Sequence, residues 1–308
     1  SDLAWIKQRN AVDNFTLYDV IRGGTNAVRS SSNAAEGSFG DTVLTFNSDN
    51  ISMAGTGGNN VSGETSVIWN WLGGGAASTN TNGDIDTEVS VNTTAGFSII
   101  TYTGDGVTGQ TIGHGLSQAP DMTISFDRDG GNPWVWTKSM NDGYNTYIQL
   151  DGTWSGTNPS SGYFTAASAT TLTMTIGTGF TNLNTSGDDY LLYAFHEIEG
   201  YSKFGRYEGN NNADGAFIYT GFRPAYVLIK DIDNAYDWHT WDDKRDSYNA
   251  ADRYLRPSND TVEGTTPVFG DFVSNGFKLR TGTSGWNDSS THIYIAFAES
   301  PFKTSNAR

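Results

Sequence analysis

Apolar and polar residues alternate in short runs along the whole chain, broken every few positions by Gly, Asn, Asp or Ser. This period-two pattern predicts β-strands with one buried face. Three blocks align without gaps: Ser1 to Asn10, Pro120 to Asp129 and Pro224 to Asp233. Each reads as a short strand entered from a turn. Three further blocks, Thr65 to Trp71, Asp189 to Phe195 and Thr291 to Phe297, close the same units at matching spacing. Within a unit, Ser48-Asp49-Asn50 before Ile51 and Ser274-Asn275-Gly276 before Phe277 carry hairpin chemistry. Phe46 and Phe272 precede those turns and are predicted core residues. Helix is confined to single turns, such as Asp242 to Ala251.

Units two and three share an opening stretch, Gly96 to Pro120 and Tyr201 to Pro224, which runs strand, Gly/Asn-rich turn, strand. Unit one shows no such stretch. The expected organisation is an incomplete first repeat over 1–73, a Gly/Thr/Asn-rich linker over 74–95, a second repeat over 96–200, a third over 201–303 and a tail over 304–308. The strands absent from repeat one are expected upstream, the chain opening on Ser1 rather than Met, or from another chain. The fold class is all-β: tandem antiparallel β-sandwich modules of about 100 residues, each with its own core.

Composition narrows the function. Among 308 residues there are 16 Phe, 15 Tyr and 9 Trp but no Cys, and the formal charge is −16. So many aromatics argue against disorder, and the missing Cys excludes disulfides and thiolate metal sites. An acidic chain without a basic cluster is a poor ligand for nucleic acid, because displacing counterions from phosphates needs Lys and Arg. No apolar run approaches the roughly 20 residues that span a bilayer, so membrane insertion is not expected.

The phrases LYDVIRGG, IWNWLGGG, NTTAGFSIITYTGDG with GHGLSQAP, and GRYEGNNNADGAFIYTGFRPAYVLIK with SNGFKLRT and IYIAFAESPFK resemble tandem β-modules of tail-fibre and other virion structural proteins of marine tailed bacteriophages. Such modules often follow a concanavalin A-like lectin domain. The resemblance implies a virion or extracellular appendage role, contact with other virion proteins and trimeric or filamentous self-association. It brings no catalytic residues.

Candidate chemistry is sparse. Asp127 with Asp129 and Asp231 with Asp233 recur at equivalent strand exits. Asp188-Asp189, Asp242-Asp243 and Asp84-Asp86-Glu88 are further acidic groups. Such pairs could serve glycoside hydrolysis or hold calcium, but a carboxylate repeated per module usually caps a turn. The expectation is no catalytic residue and no cofactor, with calcium the one cation worth testing. His114, His196, His239 and His292 form no metal-binding spacing and read as surface or turn residues. Arg22 and Arg245 read as surface partners in intramodule salt bridges.

Aromatics give the ligand hint. Trp134 with Trp136 and Trp238 with Trp241, matched by Phe15 and Tyr18 in copy one, are the candidate glycan-binding residues, since indole faces stack on sugar C–H edges. Tyr144, Tyr147, Trp154, Tyr236 and Tyr248 are weaker candidates. The expected function is a non-enzymatic repeat region of a phage fibre or virion appendage that spaces or presents a surface toward bacterial glycans. An assembly-only subunit of a capsid decoration or filament is the alternative, and a polysaccharide-cleaving fibre domain the least favoured.

Overall fold

The repeat blocks seen in the sequence become equivalent strands. The computed structural model describes residues 1–140, 146–156, 164–174 and 183–299. Unit one comprises β1 (Leu3–Gln8), β2 (Thr16–Asp19), β3 (Gly23–Arg29), β4 (Val43–Phe46), β5 (Ile51–Ala54) and β6 (Ser66–Trp71). Its main sheet has the order β3-β2-β1-β6, and β4-β5 forms a hairpin outside it.

Unit two comprises β7 (Ser78–Asn80), β8 (Thr87–Asn92), β9 (Phe97–Thr103), β10 (Thr111–Gly113), β11 (Met122–Asp127), β12 (Trp134–Thr137), β13 (Ile148–Gln149), β14 (Phe164–Ala167), β15 (Thr171–Met174) and β16 (Asp189–Phe195). Its sheets are β13-β12-β11-β16-β9-β8-β7 and β10-β15-β14. Unit three comprises β17 (Ser202–Glu208), β18 (Phe217–Tyr219), β19 (Pro224–Asp231), β20 (His239–Asp242), β21 (Ala251–Tyr254), β22 (Gly264–Val273), β23 (Gly276–Leu279) and β24 (Thr291–Ala298). Its sheets are β17-β24-β19-β20 and β18-β23-β22-β21. The named strands pair antiparallel, so the all-β sandwich class holds.

The repeat is kept in register. Leu3 lies opposite Trp71, Met122 opposite Phe195 and Tyr226 opposite Phe297. Leu3, Met122 and Tyr226 therefore occupy one place in the repeat, and Trp71, Phe195 and Phe297 another.

Both faces of these strands are covered, so β1, β11 and β24 are buried almost without a break. Alternate residues divide between two cores. One set enters a central core to which all three units contribute, including Trp5, Trp69 and Trp71, then Ile124, Tyr193 and Phe195, then Leu228, Ile295 and Phe297. The other set packs outward under each unit's second sheet, with Trp136 in unit two, Trp241 in unit three and Tyr18 in unit one. The expectation of independent cores is therefore corrected: each sandwich has its own outer core, but the inner faces of the three main sheets share one. A void of only about 20 Å³ remains among the equivalent residues of the three units. That is barely one water in size, and its lining is apolar.

Two expected features change with this arrangement. The 74–95 segment is not a free linker. Strands β7 and β8 extend the main sheet of unit two, with Ser90 opposite Ile99 and Thr79 opposite Glu88. The extended structure expected around Ile85 to Val91 is the part that forms β8. Arg22 and Arg245 are also not surface residues, their side chains being 1% and 2% exposed. Each pairs with an acid of its own unit, Asp19 at 2.7 Å and Asp242 at 2.6 Å, at a buried joint between units.

Unit one differs from the others at two edges. Among the described residues β6 pairs only with β1, whereas the equivalent β16 and β24 each carry a further strand, β9 and β17. The hairpin strand β5 likewise lacks the neighbour that β10 and β18 provide for β15 and β23.

Candidate functional site

The four tryptophans expected to meet sugar are all buried, at 0 to 3% exposure. Trp134 and Trp136 stand two apart on β12 and so point the same way, into the outer core of unit two, where Trp134 meets Tyr147 edge-on at 4.9 Å. Trp238 enters the central core and donates from Nε1 to the Gln149 carbonyl at 2.9 Å. Trp241 fills the outer core of unit three against Phe269 and Trp286. None offers a free face, which corrects the sugar-stacking expectation: these are the central aromatics of their sandwiches. The register also separates the pairs. Trp136, Trp241 and Tyr18 are equivalent, but Trp134 corresponds to His239 and Thr16, and Trp238 to Phe15.

The acidic pairs cap turns. Asp127 Oδ1 accepts from the Asp129 amide at 2.9 Å, and Asp231 Oδ1 from the Asp233 and Asn234 amides at 2.9 Å. Asp129 and Asp233 then accept from the first residue of the closing strand, Asp189 and Thr291, each at 2.7 Å. Burial raises the Asp127 carboxyl to about 6, with neighbouring Asp188 and Asp129 adding to the shift. The histidines are buried rather than exposed, which corrects the surface reading. Tyr147 is buried, Tyr248 projects into solvent, and Tyr144 lies outside the described residues.

A different place offers ligand chemistry. A cleft of about 190 Å³ opens in unit three among Tyr236, Asp237, His239, Tyr254, Arg256 and Trp286, with Thr281, Thr283 and Ser284 at its mouth. His239 begins β20 and Tyr254 ends β21. Trp286 sits in the turn between β23 and β24. Gly285 adopts φ +79°, and a Cβ there would lie 3.0 Å from the Tyr236 Cβ, so glycine lets this turn close against the cleft. The Trp286 indole forms the floor, 4.3 Å from His239 and stacked at 4.6 Å on Phe269. The walls are half-buried Tyr236 and Tyr254.

Polar groups at the rim are held in fixed directions. The Arg256 guanidinium lies 5.1 Å over the Tyr254 ring and donates from Nη2 to its hydroxyl at 3.1 Å. Its Nε stands 3.6 Å from Asp237 Oδ2. Asp237 Oδ1 accepts from Ser258 Oγ at 2.8 Å and Asn259 Nδ2 at 3.0 Å. Burial first, then the nearby Arg256 and Lys230 charges, holds His239 well below the usual imidazole range. It is therefore neutral, and its Nδ1 has no hydrogen-bond partner. Aromatic surfaces beside a fixed carboxylate, a guanidinium and hydroxyls suit a small ligand rich in hydroxyl groups.

Sequence reasoning named Tyr236 as a weak candidate but passed over Tyr254, Arg256 and Trp286. Trp286 carried a signal: it lies in the Gly/Ser-rich stretch TSGWNDSS, outside the strands that recur between units. Phe217 and Tyr219 were also missed. They flank buried Ile218 on β18 and stand 50% and 65% exposed on one side of the strand.

The model of a family described as Domain of unknown function (DUF7483) matches residues 1–301. The chain belongs to the DUF7483 family. The match runs through all three units, so in this DUF7483 chain the family pattern coincides with the set of sheets around the central core. No curated protein and no solved structure matches the chain.

Proposed function

We propose that this DUF7483 chain is a non-enzymatic structural and adhesive part of a phage tail fibre or related virion appendage, and that it meets bacterial glycans at the Tyr236–Tyr254–Trp286 cleft. The cleft carries the adhesive half of this reading, because it combines aromatic walls with oriented donors and acceptors. The resemblance of the repeat blocks to virion β-modules supports the appendage half. Hydrolysis is disfavoured by the cleft's own chemistry. Glycosidases set two carboxyl groups roughly 5–10 Å apart. Among the described residues Asp237 is the single carboxylate lining this cleft, and Ser258, Asn259 and Arg256 already engage it.

Glycan-array binding by the full chain and by Tyr236→Ala and Arg256→Ala variants tests the reading. Both residues are partly exposed, so folding should survive. Binding that falls at least tenfold in both variants supports the cleft. An array with no bound glycan, or binding unchanged in both, removes it. Release of reducing ends from host polysaccharide would favour the cleaving alternative instead.

A second reading, assembly alone, is favoured by the β6 and β5 edges of unit one, which have no further strand among the described residues. Exposed strand edges are templates for further pairing. Self-association with an empty glycan array would select it.

A further inference from the structure

Beneath the strand exits of unit three, His292 reproduces a place that unit two fills with Tyr190. Asp231 lies opposite His292 across β19 and β24, as Asp127 lies opposite Tyr190. The ring stacks on Tyr207 at 4.8 Å, as Tyr190 stacks on Tyr102 at 5.2 Å. Packing alone is therefore satisfied by a tyrosine. What the imidazole adds is a nitrogen aimed at two acids.

The tautomer follows from its partner. His292 Nδ1 lies 3.0 Å from the Ser290 carbonyl, which can only accept, so Nδ1 carries the proton. In the neutral ring Nε2 then bears a lone pair. That atom is fully buried and has no hydrogen-bond partner. Asp288 Oδ1 stands 3.2 Å away and Asp231 Oδ2 3.9 Å away, neither placed as a hydrogen-bond acceptor. With the ring neutral, three electron-pair donors thus converge within 4.8 Å of one another.

We propose that Asp231, Asp288 and His292 form a divalent first-row cation site, for which zinc is the fitting probe. Bonds of about 2.0–2.2 Å from nitrogen and carboxylate to such an ion place neighbouring ligand atoms roughly 3–4 Å apart, which the 3.2 and 3.9 Å from His292 Nε2 to the two acids match. The surroundings resemble the outer shell of metal sites, where a ligating imidazole donates its other N–H to a carbonyl and the carboxylates are themselves hydrogen-bonded. Asp231 Oδ2 accepts from Ser290 Oγ at 2.8 Å and Asn234 Nδ2 at 3.2 Å, and Asp288 Oδ1 accepts from the Gly285 amide at 3.1 Å. Imidazole favours zinc-like ions over calcium, which prefers oxygen alone. The site differs from the expected calcium pairs: Asp231 is retained, but Asp233 is occupied by the Thr291 amide. Asp288 is partly exposed and gives the ion an entry. The proposal is independent of the glycan reading.

The test is calorimetric titration of zinc, and separately calcium, into the full chain after dialysis against EDTA. One equivalent of zinc should bind, with calcium failing to compete. His292→Tyr, which installs the residue of unit two, and Asp288→Asn, at a partly exposed position, should each weaken zinc at least about 100-fold with an unchanged circular dichroism spectrum. Zinc uptake that survives His292→Tyr overturns the proposal. So does a wild-type chain that takes up none, and nitrogen-15 spectra with both His292 nitrogens protonated would then identify the cluster as a buried ion pair.

Discussion

The Tyr193 hydroxyl of unit two donates to Asp19 Oδ2 of unit one at 2.9 Å. The same relation recurs one step round the molecule, where Trp69 Nε1 of unit one donates to Asp242 Oδ2 of unit three at 3.0 Å. Tyr193 and Trp69 hold the same place in the repeat, each opposite the third residue of the opening strand. Their acids are equivalent too, each binding an arginine three residues on. The main chain repeats the pattern at all three joints: the Glu36 amide donates to the Arg128 carbonyl, Glu263 to Arg9 and Gly156 to Ile232, at 2.7 to 2.8 Å. Unit two thus leans on one, one on three and three on two, a head-to-tail contact that closes after three steps as cyclic assemblies do. Unit two has Thr137 and Met140 where the others have Asp and Arg, and Met140 and Ile295 both belong to the central core, which makes the third joint apolar.

The polar joints should respond to small changes. Tyr193→Phe removes one donor from a buried carboxylate and should cost about 1–3 kcal/mol. Arg22→Met leaves Asp19 buried without its cation and should cost more, about 3–5 kcal/mol. Ile295→Val at the apolar joint should cost only about 0.5–1.5 kcal/mol. Guanidinium unfolding of the three variants gives the order, and a Tyr193→Phe protein as stable as wild type would show that the joint carries no load.

A shared central core predicts shared unfolding. The full chain should melt in a single cooperative transition by calorimetry, with equal calorimetric and van't Hoff enthalpies. A fragment of residues 201–299 would expose Phe204, Tyr226, Leu228, Ile295 and Phe297 to water, and should bind a hydrophobic dye or aggregate. Separate transitions, or a fragment that melts where the full chain does, would restore the picture of independent beads.

This is also where the sequence stopped being legible. Strand alternation exposed the repeat and its register, because those are local properties of β1, β11 and β19. It could not tell that both faces of these strands are buried, since Trp5 and Ile6 read alike whether they face a neighbouring sheet or a neighbouring unit. The tryptophans of β12 and β20 were misplaced for the same reason: an indole on a strand has no mark that separates rim from core. The cleft and the Asp231–Asp288–His292 cluster combine residues from different strands and a turn, and only the folded pairing brings them together.

Buried lysines make stability rise toward alkaline pH. Lys7 and Lys230 are equivalent, and burial draws both down to about 8, against partial compensation from Asp13 and Asp260 or from Asp231 and Asp237. Their ammonium groups donate to carbonyls, Lys7 to Gln8 at 2.7 Å and Lys230 to Asp231 at 2.9 Å. Between pH 8 and 10 the unfolded chain keeps protons that the folded chain has released, so stability increases with pH, by about 1–2 kcal/mol per lysine. Above pH 10 the trend reverses, because Tyr18, pushed up to about 12 by burial, ionises first in the unfolded chain. Unit two carries Phe126 at this place, so Lys7→Met should fold. It should flatten the rise between pH 8 and 10 by about half, and an unaltered profile would exclude Lys7 as its source.

The open edge of unit one predicts association. Strand β6 presents Ile68 at 38% exposure, and Leu72 just beyond it is 57% exposed. In units two and three the corresponding edge is covered over its full length by β9 and β17, with seven residue pairs in each ladder. An uncovered edge beside exposed apolar side chains invites strand addition, and charged residues there suppress it. Light scattering of the full chain should show mass rising with concentration. Ile68→Lys with Leu72→Lys should shift the curve toward monomer, since two charges would have to be desolvated on pairing. A synthetic peptide copying Tyr201 to Glu208 should compete with self-association by occupying β6. If the chain stays monomeric across a wide concentration range and the peptide leaves its thermal midpoint unmoved, β6 is a protected edge rather than an acceptor.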